Sequence, residues 1–247
     1  MIKEIYLLGS TGSIGETALN ILKKDKKNFK VKLLTTNSNV KKIYDQAILF
    51  GVKDLIIFNQ REYSKNCKKF IKNKIKVYFS INEFLKNKNK NKNKNKKAHL
   101  TINAISGIDG LEPSLNIIKH TNNLAIANKE SIICGWKFLK KELIKQKTNF
   151  IPLDSEHFSI WSLLKNDNNN KIKKIYLTAS GGPFLNFELN KIKNIKPKHA
   201  LKHPNWKMGK KISIDSATMM NKIFEVIEAI KIFNLNSEQI DILITQD

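Results

Sequence analysis

The 247 residues predict an α/β protein, with a doubly wound, mostly parallel sheet over residues 1–150 followed by an α+β domain over 151–247. Three observations carry that expectation. Strand-sized apolar runs alternate with helix-sized segments through the first 150 residues, the pattern of repeated strand–helix–strand units. A glycine-spaced turn, Gly9-Ser10-Thr11-Gly12-Ser13-Ile14-Gly15, joins the first strand to the first helix. Beyond about Ile151 the texture changes to short apolar segments around a long polar loop.

The run Ile2 to Leu8 reads as the first strand, and the segment after Gly12 as a helix over 13–24. Further strands are expected near 30–36, 54–58, 75–79, 98–104 and 123–127, with helices near 40–50, 61–72, 109–120 and 129–147. Lys86 to Lys97 alternates lysine and asparagine without an apolar face, so it is expected to be a disordered surface loop. The second part should hold a short strand into Asp154, a helix near 157–165, a strand near 173–179, a loop from Gly181 to Lys210, a helix near 217–234 and a strand over 241–244.

The charge of +24 raises the question of a nucleic-acid partner. Arg61 is the one arginine, and the lysines are spread through the chain without aromatic interleaving or a recognition motif, so no nucleic-acid partner is expected. No segment reaches the roughly 20 apolar residues that span a bilayer, and a strand begins next to Met1, so neither a membrane partner nor a leader is expected and a cytoplasmic location is. Cys67 and Cys134 lack metal or disulfide spacing and read as ordinary thiols.

In the first turn, Gly9 permits a tight bend, Gly12 lets a diphosphate approach the backbone, and Gly15 permits close packing of helix on strand. Thr11, Ser13 and Ile14 complete this dinucleotide fingerprint. The second strand ends at Asn37-Ser38-Asn39 without the acid that holds a ribose 2′-hydroxyl, which favours NADP over NAD, with Lys41 and Lys42 the nearby cations. Asn128, Lys129 and Glu130 follow a strand end and should face the cofactor crevice. Further on, Asp154 and Glu156, joined by a third carboxylate from a helix, could chelate a hard divalent cation, while nearby serines, an amide and a lysine suit a phosphate. An isolated Asp-x-Glu is more commonly a turn and a helix cap. On a helix, Asn221, Glu225 and Glu228 share one face at i, i+4 and i+7. His203 and Trp206 lie in a loop rich in glycine and proline, as a water-excluding lid requires, and His157 and His120 read as structural.

GSTGSIG at 9–15, ANKES at 127–131, PLDSEH at 152–157, ASGGPF at 179–184 and HPNWKMGKKISIDSATMMNK at 203–222 together resemble the 1-deoxy-D-xylulose 5-phosphate reductoisomerase family. The resemblance implies a Rossmann-like NADPH-binding domain over 1–150 and a metal- and substrate-binding catalytic domain over 151–247. It also implies conversion of a small phosphorylated sugar, 1-deoxy-D-xylulose 5-phosphate, to 2-C-methyl-D-erythritol 4-phosphate in isoprenoid synthesis. NADPH and a divalent metal, Mg, Mn or Co, would be the cofactors. The resemblance assigns Asp154, Glu156 and Glu225 to the metal; Ser155, Ser180, His203, Trp206, Ser216, Asn221, Lys222 and Glu225 to the substrate; Glu156, Lys129 and His203 to catalysis; and Gly209, with the fingerprint and ANKES residues, to the cofactor. Ser216 is expected at a helix N-terminus.

Two departures from the family stand out. Asn37-Ser38-Asn39 replaces its glycine and cation turn, and Thr245-Gln246-Asp247 stands where a His-Pro-Gln-Ser-like sequence and then a helical C-terminal domain would follow. A homodimer is expected of the complete enzyme. The competing expectations are a truncated, catalytically silent remnant and, behind it, a basic nucleic-acid-binding protein.

Overall fold

The computed structural model describes residues 2–90, 96–165, 172–201 and 210–245. They form two compact units, Met1–Asp154 and Ser155–Asp247.

The first unit alternates strand and helix: β1 (Lys3–Leu8), α1 (Ser13–Lys24), β2 (Phe29–Thr36), α2 (Val40–Phe50), β3 (Asp54–Ile57), α3 (Gln60–Ile71), β4 (Lys76–Tyr78), α4 (Ile81–Lys90), β5 (Ala98–Asn103), α5 (Leu111–Ile117), β6 (Thr121–Ile126), α6 (Lys129–Gln146) and β7 (Asn149–Pro152). The strands make one sheet in the order β4-β3-β2-β1-β5-β6-β7, parallel throughout. Helices that return the chain across a sheet cover its faces, so the strand interiors are continuously apolar. Ile5, Leu7, Leu34, Leu55 and Ile57 are buried in a core shared with Ile43 and Phe70. The chain winds outward from β1 to β4 and then crosses to β5, so the order reverses between β1 and β5, and a crevice opens beyond their carboxyl ends.

In this unit the sequence reading left out α4, which takes up the start of the lysine–asparagine tract. Ile81, Phe84 and Leu85, at helical spacing, are buried, and the Phe84 ring meets Tyr6 and Tyr78 edge-on at 5.7 and 5.6 Å. Those upstream side chains anchor a helix that carries Lys86 and Lys88 along. Lys88 Nζ donates to the Tyr6 hydroxyl at 2.8 Å and to the Lys96 carbonyl at 2.7 Å. Residues 91–95 of the tract lie outside the described residues. The single helix expected over 109–120 is α5 flanked by 3-10 turns, Ile108–Gly110 and Ile118–His120.

The second unit contains α7 (Ser155–Leu164), β8 (Ile175–Ala179), the short helices α8 (Leu189–Ile192) and α9 (Pro197–Ala200), α10 (Lys210–Ala217), α11 (Met220–Phe233) and β9 (Ile240–Ile244). β8 and β9 pair in parallel. Ile175, Leu177, Ile240 and Leu235 pack with Ala229 of α11 into its core. The helix expected over 217–234 is α11, which starts three residues later at Met220, and α10 precedes it where the loop was expected to end. Thr218 Oγ1 donates back to the Ile214 and Asp215 carbonyls, and Met219 takes a left-handed conformation at φ 60°, which ends α10 before α11 begins. α8 and α9 replace part of the loop expected after Gly181. Among the described residues, no helix is long and apolar enough to cross a membrane.

Candidate functional site

The turn after β1 is built by steric necessity. Gly9 has φ 77°, and a Cβ there would lie 2.7 Å from the Ala104 carbonyl oxygen at the end of β5. A Cβ on Gly15 would lie 2.3 Å from the Gly9 oxygen, so α1 packs on the turn only because residue 15 lacks a side chain. Gly12 differs: its Cβ would meet nothing closer than the Gly9 oxygen at 3.7 Å. Gly12 caps α1 without any side chain, which leaves the first-turn N–H groups available to an anion.

Gly9, Thr11 and Gly12 line a cleft of about 880 Å3, together with Thr36 at the end of β2, Asn37 after it and Ser106 after β5. It therefore lies at the carboxyl ends of the strands, where the sheet order reverses. Of the residues expected to hold the cofactor, Gly9, Thr11, Gly12 and Asn37 line it, whereas Ser13, Ile14, Ser38, Asn39, Asn128, Lys129 and Glu130 do not. Asn39 instead caps α2, its Oδ1 accepting from the Lys42 N–H at 3.2 Å, while the Lys42 ammonium is paired with Glu16. The Asn128 amide donates to the Gly107 carbonyl at 2.6 Å and to Ser131 Oγ at 2.7 Å, tying the loop after β5 to the start of α6. Lys129 pairs with Asp154 at 2.9 Å, both nearly buried, and Glu130 sits in the first turn of α6. Gly209 lies outside the described residues. The sequence reading missed Phe58, Ser80 and Ala104 to Ser106, although their position just beyond β3, β4 and β5 was a usable signal.

The second unit gathers acid and base around one lysine. Lys222, 7% exposed, reaches Glu156 Oε1 at 3.2 Å, pairs with Glu225, and donates to the Thr178 carbonyl at the end of β8 at 2.5 Å. The Asn221 amide donates to the other Glu225 oxygen. Asp154, bonded to Ser155 at the head of α7, stands two residues from Glu156, and one oxygen each of Asp154, Glu156 and Glu225 lies within 4.8 Å of the others. Three carboxylates so close repel one another, and Lys129 and Lys222 offset only part of that charge. The carboxylate oxygens are the hard donors that Mg or Mn prefers.

His157, read as structural from the sequence, is buried beside these acids. Its Nε2 faces the Glu225 carbonyl at 2.9 Å and its Nδ1 faces Glu228 at 3.4 Å. It thus holds the backbone of the residue whose side chain Lys222 and Asn221 grip. Its place in Asp-Ser-Glu-His, one residue after Glu156, was the available signal.

Ser155 Oγ donates to Glu156 Oε2 at 2.7 Å. Ser180 Oγ accepts from the Gly182 N–H at 3.4 Å, and Gly182 comes so close to Ser216 that a Cβ would lie 2.8 Å from its carbonyl oxygen. Ser180 and Ser216 are therefore neighbours through Gly182. Ser216 lies in the last turn of α10, not at the helix N-terminus expected of it, because that helix starts at residue 210 and breaks before α11. His203 and Trp206 lie outside the described residues.

Two family models match the chain in order: 1-deoxy-D-xylulose 5-phosphate reductoisomerase over residues 5–135 and the C-terminal domain of the same reductoisomerase over 150–233. A 1-deoxy-D-xylulose 5-phosphate reductoisomerase of Pelagibacter ubique (strain HTCC1062) is 56% identical over 243 residues, which is 98% of this chain and 62% of that protein. One from Wolbachia pipientis subsp. Culex pipiens (strain wPip) is 41% identical over 98% of this chain and 61% of that protein. Among solved structures, the Zymomonas mobilis reductoisomerase in complex with NADPH superposes with a TM-score of 0.85 at 31% identity, over 99% of this chain and 62% of that one. A reductoisomerase in complex with NADPH, fosmidomycin and magnesium gives 0.87 at 31% identity, with the same coverage. The chain thus spans about three fifths of the length of the relatives it matches.

Proposed function

From the premise that the chain belongs to the 1-deoxy-D-xylulose 5-phosphate reductoisomerase family, we propose that it carries the nucleotide- and metal-binding parts of an NADPH- and divalent-cation-dependent reductoisomerase. The reaction is the rearrangement and reduction of 1-deoxy-D-xylulose 5-phosphate to 2-C-methyl-D-erythritol 4-phosphate. The observation that carries the reading is the convergence of Asp154, Glu156 and Glu225 within 4.8 Å.

The residues suit both cofactors. For the metal, three carboxylate oxygens form a hard donor set that leaves coordination positions for substrate. Bound there, a divalent cation would act as a Lewis acid on the substrate carbonyl and its neighbouring hydroxyl. For NADPH, the open space over Gly12 and the uncapped start of α1 accommodate a diphosphate, with Gly9, Thr11 and Asn37 along the same cleft.

The protein's own groups divide the remaining tasks. Glu225 is oriented by Asn221 and, through its backbone carbonyl, by His157. Lys222 offsets part of the charge of Glu156 and Glu225. The Lys222 ammonium would meet a substrate phosphate, with Ser180 and Ser216 as hydroxyl donors. Lys129, held to Asp154 across 2.9 Å, can hold a proton beside that carboxylate. His203 and Trp206, assigned to the substrate on the motif alone, complete the proposed set, with residues 1–150 as the cofactor-binding domain and 151–247 as the catalytic one. The complete enzyme would act as a homodimer in the cytoplasm.

Titration with Mn2+, followed by loss of the free-ion paramagnetic signal, tests the reading. Wild type should bind one ion, and Asp154→Asn, Glu156→Gln and Glu225→Gln should each weaken it at least tenfold with the thermal midpoint nearly kept. Unaltered Mn2+ affinity in all three variants would overturn the assignment.

A further inference from the structure

We propose a second ligand site at the opposite, amino-terminal end of the parallel sheet, built for a compact anion of two or more charges in the phosphate and diphosphate class. A cleft of about 300 Å3 opens there, at the small end of the range of small-molecule pockets, roughly 300–1,000 Å3. Lys32, Lys53, Lys74, Lys76, Lys88 and Lys96 line it. They are six of its twelve lining residues, against 44 lysines in 247 residues overall, so the concentration exceeds the general lysine richness of this chain. The six come from separate elements: β2, the turns before β3 and β4, β4 itself, α4 and the approach to β5. The fold therefore assembles what no local run of sequence does.

Two carboxylates share this cleft, and both are already engaged. Glu4 Oε1 receives Lys96 at 3.1 Å and Lys32 at 3.7 Å. Asp54 accepts the Tyr78 hydroxyl at 3.0 Å. Burial raises the Asp54 carboxyl above its ordinary value, although Tyr78, Lys76 and Lys32 all pull it down. Among the described residues, Lys53, Lys74 and Lys76 have no carboxylate within 4.0 Å. Lys88 is drawn inward, donating to the Tyr6 hydroxyl and lying 5.2 Å from that ring's centroid, and burial lowers its ammonium below the usual lysine value. A ring of cations short of negative charge is what an oxyanion relieves. Lysine is suited to it as a point-charge phosphate donor, and an arginine fork is absent.

The site is independent of the nucleotide cleft. Register places Leu33 opposite Asp54 and Asp54 opposite Lys76, at the start of β3 and β4, while the cleft that holds Gly12 lies past the strand ends. The proposal does not rest on the reductoisomerase reading.

The probe is inorganic pyrophosphate, titrated calorimetrically into the 247-residue protein at ionic strength held constant with NaCl. One site is expected. Lys53→Gln/Lys76→Gln should weaken binding at least tenfold, whereas Lys23→Gln/Lys24→Gln on α1, which removes the same charge elsewhere, should leave it unchanged. Saturation with NADPH should leave it unchanged as well. Absence of binding at constant ionic strength, equal losses in both double variants, or displacement by NADPH would each overturn the proposal. So would a short single-stranded oligonucleotide that binds as tightly as pyrophosphate and loses equally in both variants, since that would show a diffuse polyanion surface.

Discussion

Gly15→Ala and Gly12→Ala should separate folding from binding in the first turn. In a helix, alanine is favoured over glycine by about 1 kcal/mol, so propensity alone makes Gly15→Ala stabilising. The structure reverses that sign. The new Cβ would stand 2.3 Å from the Gly9 oxygen and 2.7 Å from the Ser10 Cα, both backbone atoms that no rotamer change can remove. Overpacking of this kind costs about 1–3 kcal/mol and sometimes more. With propensity offset, the net loss reaches about 2 kcal/mol, or up to roughly 8 °C in thermal midpoint for a chain of this size. NADPH affinity should fall too, because the turn that presents the α1 N-terminus has moved.

Gly12→Ala makes the opposite prediction. Gly12 is extended at φ −84°, ψ 172°, and its Cβ finds 3.7 Å of clearance, so the folded protein accepts it. The poorer cap and the reduced freedom of the unfolded chain each amount to about 0.5–1 kcal/mol and oppose each other. Stability should change little, yet the methyl occupies the space assigned to the diphosphate, and NADPH binding should weaken at least tenfold, about 1.4 kcal/mol. Thermal unfolding and fluorescence titration of NADPH on both variants give the readout. If Gly12→Ala binds NADPH like wild type, or Gly15→Ala melts at or above wild type, the steric account of this turn is wrong.

Three further outcomes are expected. NADPH should bind more tightly than NADH, but only by a few fold, because Glu16 holds Lys42 and leaves exposed Lys41 as the cation near the turn after β2; Lys41→Gln should equalise the two dissociation constants. Phe84→Ala should lose about 3–5 kcal/mol in urea denaturation, since a ring 4% exposed and lodged between two tyrosines leaves a cavity that cannot collapse. His120 is lowered to about 4 by burial first and by Lys88, Lys119 and Lys97 after it. Between about 6.5 and 4 the unfolded chain binds a proton that the fold refuses, so stability should be full above that window and fall as pH drops through it. For a partly buried ring the loss is on the order of 1 kcal/mol, and urea midpoints at pH 7.5 and 5.0 should converge in His120→Gln.

The sheet was legible because its strands are buried on both faces and therefore announce themselves as apolar runs, each followed by a helical period. Where that logic was weak the reading slipped. α4 has three apolar residues, Ile81, Phe84 and Leu85, too few to outweigh the lysine–asparagine repeat that follows, and its stability comes from Tyr6 and Tyr78, which are distant in sequence. The break at Met219 was hidden for a related reason. The helix expected from the sequence began at 217 and left α10 out, and nothing local shows that Thr218 turns its hydroxyl back on the Ile214 and Asp215 carbonyls to end a separate helix there.

The site was legible in a different way, through residue types whose spacing makes chemical sense only when the chain is folded. Asp154 and Glu156 are ambiguous as a pair, because a turn and a cap explain them equally well. What sets Glu156 apart from a solvated cap is Lys222, which lies sixty-six positions beyond it and yet reaches it across 3.2 Å while also holding Glu225 and the Thr178 carbonyl. A solvated cap has no use for a buried ammonium with three acceptors. The same reasoning explains why the sequence could read His157 as structural but not say what it holds: its partner is the Glu225 backbone, a peptide group sixty-eight residues away. The residues that position a site are those whose partners are backbone atoms of distant segments, and these are the ones a sequence conceals.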